Sequence, residues 1–401
     1  MFSYLLIGGH FSDDTAECRP SGYIRKLFHT MKLINPSGDI YNGGQFKDLE
    51  NILYHTLPYD VILWMPDIPN DKPKLVRKIK KQNPKIILVT SKNNKDRRYS
   101  FMELVARALQ VKANLFVEFQ RGGGEQITAS VCDPLGNQYV FSENVDEIAT
   151  ALICRLRDLC AFTRVGSSVV YSKEKVTPQD NEELRSFLGL VKKHAETFHE
   201  LIHPVDNSRL LGNASFRCEY GFPSFKKNDQ VFISKRNVDK RDIGVEAFVP
   251  VNLYYGEDPK VFYHGEDKPS VDSPIQLMLY NYYPNIRYML HSHVYITGAP
   301  ITSRRIPCGA IEEFFEIIQQ FPMRDIDNLS LNLLGHGSLV MAKDISYLEN
   351  IDYKARAMPE TSEPQVEICP TCQGDGIARD GGYPYNGKCG RCGGPGKLRH
   401  F

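Results

Sequence analysis

The run Arg287-Tyr288-Met289-Leu290-His291-Ser292-His293 closes an apolar stretch with two histidines one residue apart. If the stretch is a strand, alternation puts both rings on one face. A third histidine, His336, sits in Leu333-Leu334-Gly335-His336-Gly337, which also reads as a strand running into a turn. Asp272 lies nineteen positions before His291. Three neutral imidazoles with an open fourth position are a common catalytic zinc arrangement, and an adjacent carboxylate supplies proton transfer. A lone histidine in a strand is usually a core or surface residue. It is the company of Asp272 and the Gly-His-Gly turn that favours metal here. His194, His203 and His264 have no such company and read as structural or exposed.

Working outward, the segment from about 180 to 357 opens with a helix over 181–202, apolar at Leu184, Phe187, Leu188, Val191, Phe198 and Leu201. Strands follow near 215–219, 231–234 and 247–252, then a helix at 273–282, the His291 strand, a helix at 310–321 and the His336 strand. Upstream, residues 1 to about 165 alternate short Ile/Val/Leu runs (4–8, 60–65, 85–90, 114–118) with helical stretches, ending in a hairpin and a final helix over 144–159. That alternation predicts an α/β fold, a doubly wound parallel sheet with helices on both faces. Its first strand ends in Gly8-Gly9-His10, where such sheets usually bind a ligand. The glycines have the spacing of neither a dinucleotide fingerprint nor a phosphate loop, so a bare turn reads as well as a ligand site. Polar stretches at 166–179 and 357–365 read as linkers, leaving a small module over 366–401.

With 401 residues, 42% apolar and 24% charged, the chain has the composition of a globular protein of two to three domains. A formal charge of +1 implies no general affinity for nucleic acid or acidic membranes. No apolar run approaches the ~20 residues of a membrane span. The first nine residues read as a strand rather than a signal peptide. Six scattered cysteines in a chain of this size favour a reducing, cytoplasmic setting over a disulfide framework.

Four motifs in order carry a family resemblance: Gly212-Asn213-Ala214-Ser215-Phe216-Arg217, Lys268-Pro269-Ser270-Val271-Asp272, His291-Ser292-His293 and Gly335-His336-Gly337. Residues 180–357 resemble the class II aldolase/adducin domain. The resemblance implies a nine-stranded central sheet in an α/β/α sandwich, usually assembled as a homotetramer. It implies that His291, His293 and His336 bind a catalytic divalent cation, normally zinc. Gly212, Asn213, Ser215 and Ser270 look like the family's pocket for a substrate phosphate, and Asp272 falls on its acid/base carboxylate. Family members act on hydroxy-carbonyl compounds through an enediolate, from which aldol cleavage, epimerisation and dehydration branch. Val271 stands where phosphate-binding relatives often carry a second hydroxyl. Asp272 matches the epimerase branch, where many aldolases have Glu. Tyr347, Tyr353 and Arg356 are candidates to complete a neighbouring subunit's site. All three metal ligands are kept, unlike in adducin-type members.

The tail holds Cys369-Pro-Thr-Cys372 and Cys389-Gly-Arg-Cys392 with sixteen residues between the pairs. That spacing fits a tetrathiolate structural zinc site, and the metal would supply the folding energy of so small a segment. The pattern resembles half of the DnaJ cysteine-rich region. Five Lys/Arg against two Asp/Glu over 369–401 leave nucleic acid a conceivable partner, without aromatic platforms to support it. The leading expectation is a metal-dependent lyase or sugar-phosphate epimerase of the class II aldolase type. The competing one is a regulatory or ligand-binding protein that uses the same scaffold.

Overall fold

In the computed structural model, the described residues are 1–54, 58–68, 73–94, 99–121, 127–162, 168–202, 212–218, 230–254, 260–356, 365–368 and 397–400. The chain divides into two compact units: Met1–Ala161 together with Ala357–Phe401, and Phe162–Arg356.

The first unit is built on seven strands: β1 (Tyr4–Ser12), β2 (Gly38–Gln45), β3 (Val61–Asp67), β4 (Ile87–Asn93), β5 (Leu115–Arg121), β6 (Ile127–Cys132) and β7 (Gln138–Ser142). Their order is β2-β1-β3-β4-β5-β6-β7, with the first five parallel and the last two joined antiparallel. Helices α1 (Gly22–Ile34), α2 (Phe46–Tyr54), α3 (Pro73–Gln82), α4 (Phe101–Gln110) and α5 (Val145–Ala161) connect or follow them. Tyr4, Leu6, Val61, Leu63, Val89 and Val117 pack with Ile24, Leu27 and Met31 of α1 and with Ile148 and Leu152 of α5. Residues of the opposite parity, Leu5, Ile7, Ile62, Trp64, Leu88 and Phe116, are buried as well, so both faces of the sheet are covered. Strand order reverses between β1 and β3, beside Gly8–His10. The sequence signal missed β2, whose Gly-Asp-Ile-Tyr-Asn-Gly-Gly-Gln run is polar because it is an edge strand with a half-exposed face.

The second unit carries β8 (Ser168–Ser172), α6 (Glu182–Ile202), β9 (Asn213–Cys218), β10 (Gln230–Ser234), β11 (Phe248–Tyr254), β12 (Lys260–His264), α7 (Ser273–Tyr282) and β13 (Tyr288–Ser292). After these come β14 (Tyr295–Ile296), α8 (Glu312–Gln320), β15 (Asn328–Leu333), β16 (Gly337–Ala342) and β17 (Tyr353–Lys354). The main sheet runs β15-β16-β13-β9-β10-β11-β12-β8, eight strands among the described residues where the resemblance implied nine. β8 corrects the reading of 166–179 as a linker. Ser168–Ser172 pairs in parallel with β12 at the sheet edge, and its three apolar residues, Val169, Val170 and Tyr171, are too short a run to stand out in a polar stretch.

Alternation divides this sheet between two cores. Phe216, Phe232, Phe248, Tyr288, Leu290 and Val340 face Leu184, Phe187, Leu188, Val191 and Phe198 of α6. Val231, Ile233, Val249, Met289, Leu339 and Met341 face Ile275 and Leu279 of α7 and Phe314 and Ile317 of α8. A helix layer on each side makes an α/β/α sandwich. His291 shares its parity with Met289, so its ring emerges on the α7/α8 side.

In the tail, β18 (Gln365–Ile368) pairs antiparallel with β19 (Lys397–His400), closing the ends of the cysteine-bearing stretch on each other. The four tail cysteines lie outside the described residues. The other six form no disulfide. Among the described residues, no helix is long and apolar enough to cross a membrane.

Candidate metal centre

Three separated pieces of backbone meet at the end of β13. In register, His291 stands between Asn213 of β9 and Leu339 of β16. His336 sits in the turn that joins β15 to β16, so closing that hairpin carries its ring to the same strand end. Two glycines allow the approach. A Cβ on Gly337 would lie 1.9 Å from the Ser292 carbonyl oxygen, and one on Gly212 would lie 2.5 Å from that of His291. Gly212 also has φ +99°, a conformation other residues rarely adopt. Arg356 ties two of the segments together, donating from Nε to the His293 carbonyl (3.0 Å) and from Nη1 to the Gly335 carbonyl (2.7 Å).

The three rings have centroids 5.1 Å (291–293), 4.6 Å (291–336) and 5.1 Å (293–336) apart. One nitrogen from each lies within 4.8 Å of the others. All three residues are buried. Nδ1 of His291 donates to the Ser338 carbonyl at 2.9 Å, which leaves Nε2 as a lone pair. That Nε2 is buried without a hydrogen-bond partner, as is Nδ1 of His293. Burial lowers the His291 ring to about 4 and holds His293 well below its ordinary value, with the other histidines adding to the effect. Both are therefore neutral near pH 7, the form that ligates metal.

His336 is held differently. Its Nδ1 meets the Glu313 carboxylate at 2.8 Å and its Nε2 meets the Cys308 sulfur at 3.0 Å. Burial disfavours the imidazolium, but Cys308 and Glu313 outweigh it and hold this ring well above the usual range. Burial pushes the Glu313 carboxyl up, against the pull of His336. A carboxylate behind a histidine is the usual support of a metal ligand, fixing its tautomer and orientation.

Asp272 is the N-cap residue of α7 and is buried. Its Oδ2 accepts from Asn213 Nδ2 at 3.0 Å and lies 3.8 Å from His291 Nε2, while its Oδ1 has no partner. Asn213 also donates to the Ser270 hydroxyl at 3.1 Å, and Gln276 donates to Asn213 Oδ1. The structure thus brings Gly212, Asn213, Ser270 and Asp272 to the histidines. Ser215 is separated from them. It stands two residues further along β9, opposite Met289, with its hydroxyl paired to Tyr280 at 3.0 Å in the α7 core. Tyr353 is likewise engaged within its own domain, stacked edge-on against Phe198 at 4.8 Å. Tyr347 is partly exposed and accepts from Ser330 at 3.1 Å.

Sequence reasoning missed Cys308, Glu313 and Lys240. Lys240 is buried, and burial brings its ammonium down to about 8 although Asp239 and Asp272 act to raise it. Glu313 left one signal: it interrupts the apolar face that Phe314 and Ile317 give α8. Cys308 and Lys240 left none.

Residues 192–308 match the Class II Aldolase and Adducin N-terminal domain. The stretch is less than a third of the chain and holds Asn213, Asp272, His291 and His293, while His336 lies beyond it. No curated protein matches the chain. Among solved structures, a sugar-phosphate aldolase from Thermotoga maritima aligns at 14% identity and TM-score 0.28, covering 39% of this chain and 86% of that one. The L-fuculose 1-phosphate aldolase from Glaciozyma antarctica PI12 aligns at 12% identity and TM-score 0.25, covering 43% and 70%. The DNA/pantothenate metabolism flavoprotein from Streptococcus pneumoniae aligns at 12% identity and TM-score 0.32, covering 39% and 99%.

The donor set fits a divalent cation. Each unpartnered buried nitrogen costs about 1–3 kcal/mol when nothing meets it. A cation shared by three imidazoles removes that cost and needs no further acceptor.

Proposed function

We propose that the Phe162–Arg356 unit is a divalent-metal-dependent lyase or epimerase of the class II aldolase type. Its substrate would be a small hydroxy-carbonyl compound, sugar-phosphate-like in size and charge. The observation that carries the reading is the pair of buried, unpartnered imidazole nitrogens beside His336 and a half-paired carboxylate. His291, His293 and His336 would hold the metal. When bound, it supplies fixed positive charge for the negative charge that develops on a carbonyl oxygen as an adjacent bond breaks.

The chain's own groups do the remaining work. Asp272 takes a proton on Oδ1, the oxygen with no hydrogen bond, and returns it at the end of the turnover. Asn213 steadies the other oxygen through Nδ2 and is in turn held by Gln276, so the carboxylate keeps its rotamer without a competing donor. The Gly212-Asn213 turn and the Ser270 hydroxyl are the groups nearest to hand for a substrate anion. Ser215 supports β9 from beneath through Tyr280 instead of touching substrate. Lys240 adds a positive charge close enough to act on Asp272 and on the rings of His291 and His293.

Turnover of a panel of ketose and aldose phosphates, measured for wild type and Asp272→Asn, tests this reading. Activity that is abolished in the variant, with metal content unchanged, supports it. Equal activity in both proteins would refute the role of Asp272. Tight ligand binding without turnover on any substrate would favour a sensor.

A further inference from the structure

Cys308 has no place in the chemistry proposed above, yet its sulfur meets the cluster at His336. Its Sγ is 3.0 Å from His336 Nε2, the one ring nitrogen of His336 that Glu313 does not occupy. Donor atoms of Asp272, Cys308 and His336 lie within 4.8 Å of one another, as do those of the three histidines. The two trios share His336. Four segments therefore supply five donors to two trios that overlap at His336, and two of the five, His291 Nε2 and His293 Nδ1, are buried with no hydrogen-bond partner. Two ligands on one tetrahedral zinc, at ordinary Zn–S and Zn–N lengths, stand ~3.6 Å apart. The sulfur is thus already within coordination reach of a cation held by His336. The backbone also sets the residue in place. The Ala310 N–H donates to the Pro307 carbonyl at 3.2 Å, a turn that leads directly into α8 and its Glu313.

We propose that Cys308 contributes a thiolate ligand to the same cation as the three histidines, making the site selective for thiophilic divalent ions. The inference rests on the metal reading above and deepens it. A thiolate and three imidazoles form a borderline-soft set, which binds zinc, cobalt and cadmium in preference to magnesium or manganese. The negative sulfur also offsets part of the ion's charge in a buried site that Asp272 and Glu313 already flank. Because Cys308 is partly exposed whereas the histidines are buried, it is the ligand an incoming substrate can displace.

The test uses the full chain, stripped of metal and titrated with cobalt(II), as wild type, Cys308→Ser and His291→Ala/His293→Ala. The tail cysteines are identical in all three, so the difference spectrum between wild type and Cys308→Ser isolates one sulfur. The expected result is loss of one thiolate-to-cobalt charge-transfer band in Cys308→Ser with the cobalt count retained. Zinc affinity should fall more than about tenfold while manganese affinity is unchanged. Cys308→Asp should recover part of the zinc affinity without the band. In wild type, stoichiometric zinc should protect Cys308 from iodoacetamide, a readout that requires no variant to fold. Identical spectra and affinities would overturn the proposal. So would rapid alkylation at one rate with and without zinc, which would mark Cys308 instead as a nucleophile activated by His336. If the double histidine variant keeps its full cobalt count, the three-histidine reading itself fails. If that variant loses cobalt while Cys308→Ser matches wild type, only the thiolate ligand fails.

Discussion

Asp272 separates chemistry from architecture at the scale of a single residue. Asp272→Asn keeps an oxygen that can accept from Asn213, so folding and metal content should persist. Losing the proton acceptor should lower kcat about 10²–10⁴-fold, read directly from steady-state kinetics. Lys240 makes a second, independent prediction. Its pKa falls from 10.5 in the unfolded chain to about 8 in the folded one. Below pH 8 the lysine is protonated in both states and the penalty for burying its charge is fully present. Between pH 8 and 10.5 the unfolded chain binds more protons, so stability rises with pH across that window, by about 3 kcal/mol from this group. Urea denaturation of metal-free protein at pH 7.5 and 9.5 should show the rise in wild type and a smaller one in Lys240→Met. That Asp272 and the three histidines lie close together was legible in the sequence because they sit in short motifs with recognisable spacing. Cys308, Glu313 and Lys240 were not. Their roles come from contacts that only folding creates, such as the 28-residue separation between Cys308 and His336.

At the scale of elements, the centre depends on how tightly the β15–β16 hairpin closes on β13. Gly337→Ala places a methyl group against the Ser292 carbonyl. Relieving that clash must move the His336 turn outward, at about 1–3 kcal/mol of stability. Reduced metal content together with a lowered melting temperature is the expected outcome. Glu313→Gln tests α8 more gently. The amide keeps the size of the side chain but loses the charge that orients His336, so metal affinity should fall about 10–100-fold with the fold intact. Competition with a chelator measures that change. The long apolar elements were readable because packing on both faces enforces their pattern, as with the helix at 273–282 and the strand carrying His291. The edge strands β2 and β8 were not, since one open side removes the need for an apolar repeat. Ser215 shows a related limit: its place in a Gly-Asn-x-Ser motif did not reveal that its hydroxyl turns to Tyr280.

At the scale of the whole molecule, a largely parallel sheet, a mostly antiparallel sandwich and a cysteine-bearing tail share one chain. The proposed chemistry belongs to the sandwich alone. For the tail, the spacing of Cys369, Cys372, Cys389 and Cys392 supports a proposed structural zinc of its own. A histidine centre and a thiolate tail would respond separately to mutation, so metal analysis tests the three-histidine site directly. Purified full-length protein and the His291→Ala/His293→Ala variant would be measured for bound metal per chain, with folding checked by circular dichroism. The variant should lose one equivalent and keep any metal held by the tail. A folded variant with the same metal per chain as wild type would contradict it.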